Sequence, residues 1–137
     1  MTDKVYEFLA APKETAAKIR RKRRQRAEKL AGMLPGAIRY DLPRVQSSPS
    51  DRMSQSAAEV DELDREIEEL KALKRQQRQA IIDVAESLEN KDAGRCIILH
   101  YVDGLKWADV ARAVHRSEST VFRWQREAVQ DIDEKFT

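Results

Sequence analysis

Apolar residues recur along this chain at steps of three and four, the spacing that places them on one side of an α-helix. In residues 3–33 the stripe is Val5, Phe8, Leu9, Ala16, Ile19, Ala27 and Leu30, with an interruption expected near Pro12 and a stop at Gly32 and Pro35. From 60 to 88 the steps of three and four alternate strictly through Val60, Leu63, Ile67, Leu70, Lys74, Gln77, Ile81, Val84 and Leu88. This is an a/d heptad seam on a long helix that Asp51 or Ser54 can cap. Between these two helices the stretch LPGAIRYDLPRVQSSPS, residues 34–50, holds three of the four prolines and no sustained period, so a loop is expected there.

After Lys91 the pattern changes to short helices with tight turns. Ala93, Ile97, Ile98 and Tyr101 run up to a turn at Asp103-Gly104. Trp107, Val110, Ala111 and Val114 share one face, and after a break at His115-Arg116 a last helix carries Val121, Trp124, Ala128 and Ile132. Ser117 is a good N-cap for that helix. The expected fold is therefore all-α, a long helical hairpin or coiled coil followed by a C-terminal helix-turn-helix. Four segments follow: a basic helix over 1–33, a Pro/Ser loop over 34–50, the long helix over 51–89 and the helix-turn-helix module over 91–137.

Composition fits long solvated helices. Charged residues make up 36% of the chain against 6% aromatics, with four glycines and four prolines. A net charge of only +2 excludes a polycation that coats nucleic acid indiscriminately, so local clusters have to be judged one by one. A single cysteine, Cys96, excludes an internal disulfide framework and fits a reducing, cytoplasmic setting. The N-terminus lacks the basic start and apolar stretch of a secretory signal, and no apolar run approaches a membrane span, so no membrane partner is expected.

Two opposite charge runs stand out. KIRRKRRQR, residues 18–26, has seven basic residues, and EVDELDREIEE, residues 59–69, has seven acidic ones. Folding back through the 34–50 loop brings positions near 22 and 62 level and sets the two runs face to face. The basic run then complements the acidic helix, although outward arginines remain open to phosphate. The 60–88 seam wants a helical partner, and either the first helix or a second chain in a homodimer satisfies it. Its polar positions Lys74 and Gln77 are either a device for register and oligomer state or a hydrated gap.

The helix-turn-helix spacing can be tested position by position. Ala111 is the small residue where the second helix crosses, Val110 and Val114 flank it, and Val121 and Trp124 come from the second helix. His115 stands where the turn usually has glycine, and Arg116 where an apolar residue is usual. Histidine is among the residues tolerated with positive φ, and Arg116 can lie along the surface with its charge outward. In a major groove, Glu118, Ser119, Phe122 and Arg123 would face base edges, with Arg123 matched to guanine and Phe122 to a thymine methyl. Arg112, Arg116, Ser117 and Arg126 suit phosphates. Residues 91–137 carry eight basic and eight acidic side chains, so the motif rather than bulk charge points to double-stranded DNA.

Other chemistries find little support. Cys96 and His100 fall at i and i+4, a spacing that two metal ligands can use, but no second pair completes a tetrahedral site. No nucleophile–base pairing, Gly-rich phosphate loop or paired-carboxylate pocket is evident, so neither an enzyme nor a cofactor is expected.

The stretch YVDGLKWADVARAVHRSESTVFRWQREA, residues 101–128, resembles region 4 of bacterial sigma factors through Tyr101, Asp103, Gly104, Val110, Ala111, Ser117, Thr120, Val121 and Ala128. Adding RVQSSPSDRM, residues 44–53, and the acidic helix, the chain is similar to phage-encoded RinA-type and ArpU-type late-gene regulators. Lys106 departs from the pattern, standing where Ser or Thr commonly caps the first motif helix. That resemblance implies a regulator that activates late operons by sequence-specific DNA binding, with host RNA polymerase as a further partner. Two alternatives stay open: a small terminase subunit that recognises DNA for packaging, and an adaptor that binds polymerase with DNA contact secondary.

Overall fold

The computed structural model describes residues 2–33 and 49–136, and every regular element among them is helical. The elements are α1 (Asp3–Met33), α2 (Pro49–Glu86), α3 (Lys91–Ile97) continued by a π-helical turn (Ile98–Val102), α4 (Trp107–Val114) and α5 (Glu118–Phe136). The fold is all-α. Most of the expected 34–50 loop, with the Val-Gln-Ser-Ser element, lies outside the described residues. No described helix is long and apolar enough to cross a membrane.

Two features of the long helices differ from the sequence expectation. Pro12 does not interrupt α1. Its ring removes one backbone donor, but the turns on either side are held by Val5, Leu9 and Thr15, each at most 3% exposed. Tertiary anchoring outweighs the one lost bond. The start of α2 is at Pro49, ahead of both expected caps, and proline suits a first helical turn because its missing N–H has no intrahelical acceptor there.

Chain contacts divide into two units, Ala16–Ala72 and Met1–Thr15 with Leu73–Thr137. In the first, Lys22 pairs with Glu66 at 2.7 Å, Arg26 with Asp64 and Lys29 with Glu59. Residues climbing α1 meet residues descending α2, which is the order of an antiparallel hairpin. Level with Lys22 is Glu66 rather than residue 62, one helical turn from the expected register. Two runs of seven like charges fit each other in several registers, so charge alone does not choose among them. Val60, Leu63 and Ile67 are buried there against the chain's own helices.

In the second unit the core gathers Val5 and Leu9 of α1, Ile81 and Ala85 of α2, Ile97 of α3 and Ile132 of α5, with Leu88 from the turn after α2. At the seam position Gln77 the buried Thr15 hydroxyl donates to the side-chain Oε1 at 2.7 Å. Ile81 and Leu88 of the same seam are each 1% exposed as well.

Candidate nucleic-acid interface

Asn90 starts α3 by accepting from the backbone N–H of Asp92 and Ala93 at 3.1 and 3.2 Å, the role of an N-cap side chain. The end of this helix widens. Asp103 N–H bonds to the Ile98 carbonyl at 3.0 Å, five residues back, and Gly104 takes φ 77. There His100 Nδ1 lies 2.7 Å from the Leu105 carbonyl and its ring stacks on Trp107 at 3.8 Å. Burial pushes the His100 pKa down, so the neutral ring donates to that carbonyl.

Lys106 precedes α4 with no side-chain cap, in keeping with its departure from the usual Ser or Thr. The helix ends at His115, whose φ of 57 and ψ of 44 are left-handed. His115 N–H bonds to the Arg112 carbonyl at 3.3 Å and Arg116 N–H to the Ala111 carbonyl at 3.0 Å, a Schellman ending in which histidine fills the usual glycine position. Ser117 then caps α5, its Oγ accepting from Thr120 N–H at 3.3 Å. Three consecutive residues, His115, Arg116 and Ser117, thereby fix the angle between α4 and α5.

Between the helices lies a small core of Cys96, Val110, Ala111 and Val121, with Val114 and Trp124 packed against it. All five positions tested for the motif contribute to it. Cys96 belongs to this packing: burial pushes its thiol pKa up, and among the described residues no group of three potential ligands is placed to hold a metal ion. The apolar stripe of α5 is wider than Val121, Trp124, Ala128 and Ile132 alone. Val129 is buried as well, and so is Gln125, whose amide donates to the hydroxyls of Tyr6 at 3.1 Å and Tyr101 at 3.4 Å. A glutamine four residues after Val121 was the available signal; its partners were not, because Tyr6 lies 119 positions away.

Residues 95–131 match the homeodomain-like domain family. No curated protein and no solved structure matches the chain. The homeodomain-like segment runs from the middle of α3 to the last turns of α5, so it takes in α4, the Schellman turn and the small core. The chain carries a helix-turn-helix domain of the DNA-binding kind.

On the homeodomain-like segment the predicted contact residues are all exposed: Glu118, Ser119, Phe122, Arg123 and Arg126 on α5, with Arg112, Arg116 and Ser117 at the turn. Arg112, Arg116 and Ser117 line one open groove with His115 and Glu118 at the start of α5. Arg126 stands apart from them, nine residues beyond Ser117 or about 14 Å along the helix. Phe122 is exposed yet anchored, its ring 5.6 Å from Trp107. The Arg116 guanidinium lies 5.9 Å from the centre of the Trp124 ring, which explains how arginine occupies a position where an apolar side chain is usual. Arg112 pairs with Asp109 at 3.0 Å and Arg123 with Glu127 at 4.0 Å. Exposed pairs of this kind are worth about 0–1 kcal/mol, too little to keep either arginine from a phosphate or a base.

Proposed function

We propose that this protein is a sequence-specific double-stranded DNA-binding regulator of transcription that places α5 in the major groove. The observation that carries the reading is one exposed face on the second helix of the helix-turn-helix. Glu118, Ser119, Phe122 and Arg123 lie on it near the N-terminal end, where such a helix meets base edges. Arg123 suits guanine O6 and N7, Glu118 suits cytosine N4, and Phe122 suits a thymine methyl. Arg112, Arg116 and Ser117 would hold phosphate beside the N-terminus of α5, where the helix dipole also favours an anion. Arg126 would reach the backbone farther along.

The likeness of residues 101–128 to sigma region 4, and of the wider chain to RinA-type and ArpU-type regulators, supports a phage late-operon activator that also touches host RNA polymerase.

Selection of binding sites from random duplex DNA tests the reading, and an enriched motif is expected. Against that motif Arg123→Ala should cost about 1–3 kcal/mol and relax preference at one base pair. Arg112→Ala should weaken all sequences alike and flatten the salt dependence by about one unit. Selection that enriches nothing overturns the proposal.

A further inference from the structure

The antiparallel hairpin sorts the basic run of α1 into two faces. Of its seven cations, Lys22 and Arg26 turn to the acidic side of α2. The remaining five, Lys18, Arg20, Arg21, Arg23 and Arg24, are exposed and have no ion-pair partner among the described residues. Four of those five are arginines. At 3.6 residues per turn, Arg20, Arg21 and Arg24 fall within an arc of roughly 100°, on the side away from Ile19, Lys22 and Arg26. One acidic residue, Glu28, shares that arc a turn beyond Arg24.

We infer that this outward arginine face is a second DNA-contacting surface, one that grips the phosphate backbone without reading sequence. If the basic run served only to complement α2, the two cations that pair and Lys29 beyond them would suffice. The outward arginines add nothing to that pairing, and concentrating like charge on one helix face opposes folding slightly. Guanidinium is the cation suited to phosphate, since its planar fork donates two parallel hydrogen bonds to the oxygens of one group. Arg20 and Arg24 are separated by about 6 Å along the helix, close to the ~7 Å axial advance of two phosphate steps on one strand. The neutral balance of the helix-turn-helix module leaves it short of the nonspecific attraction that holds a protein on DNA, and the α1 face supplies it.

This inference rests on the DNA-binding reading, and the test separates the two. Full-length protein is titrated onto a duplex lacking any selected site, by fluorescence anisotropy between 50 and 200 mM salt, for the wild type, for Arg20→Gln/Arg21→Gln/Arg24→Gln and for Arg112→Ala. Glutamine keeps helix propensity, so the hairpin stays folded, and circular dichroism verifies it. The triple variant should lower the salt slope by about 2 to 3 units, at about 0.9 per phosphate contact. Its affinity should then fall about 40-fold less than that of the wild type across this range, with an unchanged base preference in site selection. The corresponding triple-lysine variant should retain most of the slope. A slope unchanged in the triple glutamine variant but lowered in Arg112→Ala overturns the inference alone. A wild type that binds no duplex overturns both.

Discussion

His100 shows how a single ring ties the end of α3 to the start of α4. It donates to the Leu105 carbonyl and stacks on Trp107, which in turn contacts Phe122 on the exposed face of α5. Burial holds its pKa below the ordinary 6.5, against a smaller raising effect of the hydrogen bond to Leu105. A folded pKa below the unfolded one means that the unfolded chain takes up the proton first as the solution is acidified. This contribution to stability is therefore complete above pH 6.5 and declines as the pH falls through 6.5 toward the lower folded value. Thermal melting from about pH 7.5 to about pH 5.5 should show a falling midpoint in the wild type and a flatter profile in His100→Gln. Equal slopes for the two proteins would remove His100 from the linkage.

Between elements, α3 comes close to α2 at Gly94. A Cβ placed there would lie 2.3 Å from the carbonyl oxygen of Ala85, a backbone atom that cannot swing aside. Alanine gains about 1 kcal/mol of helix propensity over glycine, while forced separation of packed helices costs about 1–3 kcal/mol. Gly94→Ala should therefore destabilise the protein in urea unfolding, and a stabilised variant would show that the two helices part without strain. Nothing in the sequence marks Gly94 as such a contact, because periodicity reports which face of a helix is apolar and not what touches it. The same limit explains the hairpin register. The helices, the short turn at His115–Ser117 and the exposed face of α5 were legible from spacing and capping residues, whereas the pairing of Lys22 with Glu66 depends on packing along the whole of α1 and α2. The π-helical widening at Ile98–Val102 likewise has no signature in residue type, since Ile98 and Tyr101 suit an ordinary helix equally well.

At the scale of the molecule, the domain that carries the helix-turn-helix is built from both ends of the chain. Val5 and Leu9, from the first two turns of α1, share a core with Ile97 and Ile132, and Tyr6 reaches the buried Gln125 of α5. Sequence reading found the stripe of Val5, Phe8 and Leu9 but not its covering, because contacts more than a hundred positions apart leave no local trace. Cys96 sits beside that core, wholly buried, the one thiol in the chain and one whose ionisation burial opposes. A thiolate is the reactive form, so burial and the raised pKa both hold back a thiol reagent in the folded protein. Modification of Cys96 should then wait for the domain to open, at a rate set by how often it does so. A labelling rate that stays the same when urea raises the open population would mean the thiol is reached by another route. Because the thiol lies under α4 and α5, the protein carries a built-in clock for the breathing of its helix-turn-helix, and a duplex that holds those helices together should slow it.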